Sequence, residues 1–318
     1  MHEPRAASNP RTALVLGAHG FIGRRVCREL ANQGFSVCGL GRGQWRSDES
    51  AEWGLSHWVE GDITLASLGR AASMAASPST FVHCAGSGAV SHSYSAPYED
   101  YQRSVSSTLA LMEFVRQRGA EGVRVVLASS AAVYGDQGDV DLAETATRSP
   151  ISPYGFHKVA AENLCDSYSR FFGVQTSVVR LFSVYGEGLR KQLLWDAMQK
   201  FTRGESEFFG TGHELRDWIH VDDAARLLCK AACEPQTPFE IYNGGHAHAS
   251  TRTVLSSLAR HADFTPSPGF NGKTHVGNPR RLTANCGHAR RQLGWKPEVG
   301  LESGLLRYAQ WFKSIPHQ

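Results

Sequence analysis

Three kinds of side chain that can share one proton transfer stand between positions 128 and 158. Ala128-Ser-Ser130-Ala-Ala-Val-Tyr-Gly135 offers hydroxyls, and Ser152-Pro-Tyr154-Gly-Phe-His-Lys158 adds a phenol and an ammonium. Free tyrosine has a pKa of about 10, so a tyrosine acting as a base near neutral pH needs a cation beside it. Tyr154 and Lys158 are four residues apart, which on a helix places both side chains on one face. A serine facing that pair could hold the substrate oxygen whose proton the tyrosine takes. The chemistry this permits is removal of a proton from a bound hydroxyl.

Positioning these groups requires a strand and a helix. Val123 to Leu127 is an apolar, β-branched run, which predicts a buried strand ending near Ala128 with Ser129 and Ser130 at its mouth. Pro153 stands just ahead of a long helical pattern that starts at about Tyr154. Upstream, Thr12 to Leu16 reads as a buried strand, followed by Gly17-Ala-His-Gly20-Phe21-Ile22-Gly23 and an amphipathic helix to about Gln33. Glycines three apart between a strand and a helix let the backbone turn tightly and approach a pyrophosphate, which then rests on the helix N-terminus.

Further strands are expected at 35–40, 57–59, 80–83 and 175–180. A long helix is expected at 97–118, with Leu109, Met112 and Val115 as a core stripe. Strands alternating with helices imply an α/β fold, a Rossmann-type doubly wound parallel sheet whose ligands bind at the carboxyl ends of the strands. The character changes after position 180. The expected division is a dinucleotide-binding domain over 1–180 and a smaller, mixed substrate-binding lobe over 181–318, with segments around 215–240 packing back on the first.

With 318 residues, 41% hydrophobic and 20% charged, the chain reads as an ordinary globular protein. A net charge of +3 is too small to imply nucleic acid or a membrane surface as partner. The seven cysteines follow no framework spacing and read as buried, reduced thiols. Cys229 and Cys233 share a helix face and His246 and His248 alternate in a glycine-rich turn, but neither pair has a completing ligand pattern, so no metal is expected. The first eleven residues lack an apolar signal core, and no run approaches the ~20 residues needed to span a bilayer. A cytoplasmic location is expected.

Ser130, Val133-Tyr-Gly135, Tyr154-x-x-x-Lys158 and the three-glycine turn together resemble the extended short-chain dehydrogenase/reductases of the NAD-dependent epimerase/dehydratase family, which modify nucleotide sugars. The resemblance runs from about Ala13 to Phe312. It implies Ser130, Tyr154 and Lys158 as catalytic residues. It places a dinucleotide on Gly17, Gly20, Phe21, Ile22 and Gly23, on Asp62 and Ile63 at the adenine, and on Ala85 and Gly86 of an H-x-A-G turn, with Tyr154 and Lys158 beside the nicotinamide ribose. The run from Ala89 to Val105 also matches, except that Ser104 replaces the family's usual Asn.

In Arg180 to Gly188, Ser183 takes the place of the family's Asn and Glu187 that of its Pro. Gly210 to Asp223 matches closely, which implies that Arg216 binds the substrate diphosphate; the plainer alternative is a salt bridge to a nearby Asp. Ser183, Arg216 and Arg280 are thus the expected substrate contacts, Arg280 standing just beyond His275-Val276-Gly277-Asn278. Asp222 or Asp223 is expected to cap the helix that follows, and 263–279, rich in Pro and Gly, to form a loop over the cleft.

Relatives using NAD carry an acid at the end of the second strand; here Gly41 and Arg42 follow it. An acid would repel a 2′-phosphate and a guanidinium can grip one, so the cofactor is NADP or NAD, with NADP favoured. The function implied is a nucleotide-sugar 4-epimerase working through a 4-keto intermediate. The alternatives are an NADPH-dependent reductase of a 4-keto nucleotide sugar and, from a different class, a non-catalytic NAD(P)-binding sensor. Dehydratases carry an Asp-Glu pair where Ala131 and Ala132 stand, and methyl groups move no proton. The partners implied are a nucleotide-diphosphate sugar and a second copy of the chain, a homodimer joined through the helices near 97–118 and 154–172.

Overall fold

The computed structural model describes residues 11–316 except 47, 89, 235–236 and 275–276. Seven strands form one parallel sheet: β1 (Thr12–Leu16), β2 (Ser36–Gly41), β3 (Leu55–Glu60), β4 (Thr80–His83), β5 (Arg124–Ser130), β7 (Gln175–Leu181) and β11 (Phe239–Gly244). Their order is β11-β7-β5-β4-β1-β2-β3. The inner strands β1, β4 and β5 read as largely apolar, buried runs because helices cover both faces, the pattern of an all-parallel sheet. The order reverses between β1 and β4, which opens a crevice at their carboxyl ends. Gly17 follows one strand there and Cys84-Ala85-Gly86 the other.

A smaller mixed sheet holds β6 (Asp141–Leu142), β8 (Ser183–Tyr185), β10 (Leu215–His220), β12 (Ala247–Ser250) and β14 (Arg281–Ala284). Central β10 runs antiparallel to β12 and parallel to β8 and β14. Helices Gln192–Thr202, Thr251–His261 and Leu301–Ser314 close over it around Leu194, Trp218, Leu255 and Tyr308. After crossing into this region the chain returns: helix Val221–Cys233 packs on helix Phe21–Asn32, and β11 joins the edge of the large sheet beside β7.

Three expectations need correction. Residues 97–118 are helical throughout, but Gln102–Ser106 form a π turn between Pro97–Tyr101 and Ser107–Arg118. Thr108, Leu111, Met112 and Val115 face inward, while Leu109 lies off that face and is 44% exposed. Thr108 takes the inward place because its hydroxyl can satisfy itself on the Ser104 carbonyl at 2.7 Å.

Neither Asp222 nor Asp223 caps its helix. His220 is the N-cap, its Nδ1 accepting from the Asp222 N–H at 3.2 Å. The two carboxylates sit within the first turn, too far along to reach back, and act as long-range fastenings instead. Asp223 accepts from the Glu298 and Val299 N–H groups at 2.7 and 3.0 Å, and Asp222 pairs with Arg25 and Arg307.

The stretch 263–279 is not wholly loop. Gly269–Phe270, here β13, pairs with Glu207–Phe208, β9, and Phe270 lies 6.2 Å from Phe208, ring to ring. His275 and Val276 of this stretch, like Ala89 at the head of the 89–105 run, lie outside the described residues.

Candidate active site

The two serines at the end of β5 diverge because successive strand residues face opposite sides. Ser129 points into the protein and donates to Glu162 at 2.6 Å, in a buried group where Arg180 grips the same carboxylate at 2.7 and 3.0 Å. Ser130 has extended backbone, and its Oγ accepts from the Ala132 N–H at 3.2 Å, capping the short turn Ala131–Val133. The helix that carries Tyr154 and Lys158 spans Pro153–Phe172, starting one residue earlier than expected, because the first helical position tolerates a missing N–H. Ser152 caps it through the Gly155 N–H at 3.2 Å.

Gly155 decides how closely that helix meets the serine turn. A Cβ there would stand 2.6 Å from the Ala132 carbonyl oxygen, so only glycine permits the approach. Beside it Tyr154 is 9% and Lys158 5% exposed. The Lys158 ammonium donates to the Ala128 carbonyl at 3.0 Å and lies 5.7 Å from the Tyr154 ring centre. The structure therefore brings Ser130, Tyr154 and Lys158 to one mouth of the sheet.

At the crevice, Gly17 has a φ of +77°, and a Cβ on it would come within 2.7 Å of the Ala85 nitrogen. One on Gly23 would come within 2.1 Å of the Gly17 carbonyl oxygen. The turn is a backbone cradle with no room for side chains. Gly20, its helix N-cap, offers no side chain to the first N–H groups of Phe21–Asn32, which leaves them for an anionic ligand. These residues fit a dinucleotide pyrophosphate. Ile22 packs into the core, and Phe21 packs with the aromatic cluster of the smaller lobe.

Residue-type reasoning left two neighbours of Lys158 without a role. His83 is fully buried; its Nδ1 accepts from the Ala85 N–H at 3.3 Å and its Nε2 meets the Ser107 hydroxyl at 3.0 Å. Burial, then the nearby Lys158 charge, pushes it down to about 3. A neutral imidazole thus holds the Ala85-Gly86 turn. Ser104, within the π turn, is 2% exposed, and its hydroxyl finds no hydrogen-bond partner among the described residues. A Cβ on Gly86 would lie 3.4 Å from Lys158 Nζ and 3.7 Å from Ser104 Oγ.

At the far end of the crevice Arg42 is paired with Asp62, and Ile63 packs against the core below them. The expected grip for a phosphate is therefore shared with the expected adenine contact. Gly41 has no spare room: a Cβ would meet Gly17 Cα at 3.3 Å and the Trp58 indole at 3.5 Å. Trp45 stands edge-on to His19 and Trp58, with centroids 4.6 and 5.9 Å apart.

In the smaller lobe, Ser183 opens β8 opposite Trp218. Arg216 donates to the Leu215 carbonyl at 2.8 Å and to the Asn278 side chain, and among the described residues no carboxylate is a hydrogen-bond partner. Burial lowers its pKa. Arg280 stands beside it, its carbonyl accepting from the Leu215 N–H at 2.8 Å and from Arg216 at 3.4 Å. Glu187 accepts from His220 at 2.9 Å and from Arg307 at 2.7 Å. Burial would raise it, but these hydrogen bonds and its own backbone N–H bring it down to about 2. All seven cysteines are free thiols. Among the described residues no His, Cys, Asp and Glu are grouped to hold a metal, and no helix is long and apolar enough to cross a membrane.

A doubly wound sheet with a glycine cradle at its switch point and a Ser, Tyr, Lys set at the next strand end is the arrangement of the extended short-chain dehydrogenase/reductases. The NAD dependent epimerase/dehydratase family is matched over residues 13–245, and the chain belongs to it. The chain is 29% identical over 313 residues to a UDP-glucuronate 4-epimerase of Thermodesulfobacterium geofontis, covering 94% of this chain and 95% of that protein. The structure is similar to that of a Thermotoga maritima UDP-glucose 4-epimerase with UDP-glucose, at a TM-score of 0.85 and 26% identity, covering 95% of this chain and 98% of the other. It is likewise similar to MoeE5 in complex with UDP-glucuronic acid and NAD, at 0.84 and 30%, covering 95% and 99%.

Proposed function

We propose that this protein is a nucleotide-sugar 4-epimerase using a bound nicotinamide dinucleotide. The observation that carries the reading is Ser130, Tyr154 and Lys158 at one strand mouth, next to a backbone cradle shaped for pyrophosphate. When bound, the nicotinamide supplies a reversible hydride acceptor. Tyr154 takes the proton of the C4 hydroxyl as the C4 hydride departs, leaving a ketone. Ser130 donates to that oxygen, and the Lys158 ammonium is the cation the phenolate needs beside it. After the keto sugar turns over, Tyr154 would return its proton to the oxygen, and the bound dinucleotide would supply the hydride for the opposite face, so that the reaction has no net redox change.

The substrate is a nucleotide-diphosphate sugar, with Arg216 on the diphosphate and Ser183 and Arg280 alongside; the relatives named above act on or carry UDP-sugars. Residues 1–180 bind the dinucleotide and 181–318 the substrate, apart from the segments that return to the large sheet. For the cofactor we favour NADP over the NAD that MoeE5 carries, because among the described residues Arg42 is paired with the exposed Asp62, which it can leave when a 2′-phosphate arrives. That same observation favours the second reading, an NADPH-dependent reductase of a 4-keto nucleotide sugar. Tyr98, Tyr101, Leu109, Phe156, Phe171 and Phe172 are exposed on the two helices expected to join a homodimer, which sedimentation velocity tests. Incubating the protein with NAD(P) and UDP-glucose or UDP-glucuronate, and following the C4 epimer by NMR, separates epimerase from reductase: the reductase makes no epimer and consumes NADPH with a 4-keto sugar.

A further inference from the structure

Beside the catalytic helix lies a polar group that the reaction as derived does not use. Asp100, in the segment Pro97–Tyr101, is completely buried. One of its carboxylate oxygens accepts from the Ser87 hydroxyl. The other meets His157 Nδ1 at 2.5 Å, and the His157 ring packs edge-on to Tyr101 at 5.4 Å. A carboxylate with no exposure is costly unless it is paired and hydrogen-bonded. His157 supplies the imidazole that meets it, and it sits between Tyr154 and Lys158 in sequence on the same helix.

The order of contacts decides what this group can do. The aspartate stands between the serine and the histidine, so the imidazole does not touch the hydroxyl and cannot activate it as a nucleophile. What the chain of contacts does is mechanical. Ser87 lies between Gly86 and Gly88, both with positive φ (+153° and +61°), in the turn after β4 that passes Lys158. A stretch flanked by two such glycines is cheap to bend. Its other side is fastened to the smaller lobe: Lys191 donates to the Ser87 carbonyl at 3.3 Å and Gln192 to the Gly88 carbonyl at 2.8 Å. A pliable turn at the cleft is thus tied to the Tyr154 helix on one side and to the substrate lobe on the other.

We propose that Asp100 and His157 are positioning residues that clamp the Gly86–Gly88 turn, through Ser87, against the catalytic helix, so that the sugar turns over behind a fixed wall. The function of the clamp rests on the epimerase reading: a sugar that must flip while oxidised has to be free to rotate but barred from leaving. A loosened wall lets the 4-keto sugar escape, and each escape strands one hydride on the dinucleotide as its reduced form.

The test uses Ser87→Ala, Asp100→Asn, His157→Ala and His157→Asn in the full chain. His157→Asn keeps a donor near the place of Nδ1. Two readouts are taken: hydrogen exchange of the Cys84–Gly88 backbone, which needs no turnover, and kcat, KM and near-ultraviolet absorbance of reduced cofactor with the UDP-sugar the wild type converts. We expect Ser87→Ala and His157→Ala to speed exchange in that turn severalfold, lower kcat about tenfold with KM within about twofold, and accumulate reduced cofactor; His157→Asn should recover most of each. Asp100→Asn should match Ser87→Ala, and if it fails to fold, Ser87→Ala, a half-buried turn residue, carries the test. Unchanged exchange in Ser87→Ala and His157→Ala overturns the clamp, even if the protein turns over no sugar. Faster exchange with wild-type kcat and no reduced cofactor overturns the positioning role, and absence of epimerisation by the wild type overturns the epimerase reading and this role with it, leaving exchange to decide the clamp.

Discussion

Ser129 and Ser130 differ by one position and by everything around them. Ser129 completes the hydrogen bonding of a buried Glu162 that also holds Arg180, so Ser129→Ala should cost about 1–3 kcal/mol of stability, the penalty for a buried acceptor losing its donor, with kcat little changed. Ser130→Ala should do the reverse, leaving the melting temperature near wild type while lowering kcat by at most the ~100-fold to 1000-fold that one lost oxyanion donor typically costs. Thermal melts and steady-state rates on both variants settle the register. His83 sets an acid limit. An unfolded histidine binds its proton near pH 6.5, whereas folded His83 resists until about 3. Its share of stability is therefore complete above about pH 6.5 and lost progressively as pH falls toward 3. His83→Asn should flatten that part of the stability curve in urea titrations run at several pH values. That Ser130, Tyr154 and Lys158 meet at one strand mouth was legible from residue types, their spacing and the family resemblance together. His83 and Ser104 were not, since their roles come from buried neighbours brought in by other strands and helices.

Elements were most legible where burial alone dictates them. The strands at 12–16 and 80–83 fall where their apolar runs lie, and the Tyr154 helix differs only in beginning on Pro153. Leu109 and the two aspartates at 222–223 were misread for a shared reason: helix periodicity says which residues share a face, not which way the face turns or what lies opposite. The Gly155 contact belongs to this scale, because it sets the distance between two elements. Gly155→Ala should push the helix off the Ala132 carbonyl, costing roughly 1–3 kcal/mol and lowering kcat while UDP still binds, which a melt and a titration with UDP check. The pairing of Arg42 with Asp62 sits likewise at the ends of β2 and β3. Arg42→Ala should weaken NADP(H) binding by roughly tenfold to a hundredfold, the worth of one charge-assisted contact, and leave NAD(H) nearly unchanged. Equal losses for both cofactors would place Arg42 on the adenine instead.

Over the whole molecule, composition and strand–helix alternation made the doubly wound sheet readable, but not how the chain recrosses. Glu187, which read only as a departure from the family's Pro, joins His220 and Arg307, while Asp222 joins Arg25 to Arg307. Those contacts tie helix Phe21–Asn32 to helix Leu301–Ser314, a pairing no local pattern contains. Around that frame Tyr154, as proposed, moves the proton of a reversible oxidation at C4. The most direct test is to give wild type and Tyr154→Phe, each loaded with NAD(P), a UDP-sugar and to follow the C4 epimer by NMR with cofactor content measured alongside. Wild type should give epimer with no net reduction of cofactor, and Tyr154→Phe should turn over at least ~100-fold more slowly with cofactor affinity nearly unchanged; near-normal turnover by Tyr154→Phe rules out the tyrosine as the proton carrier.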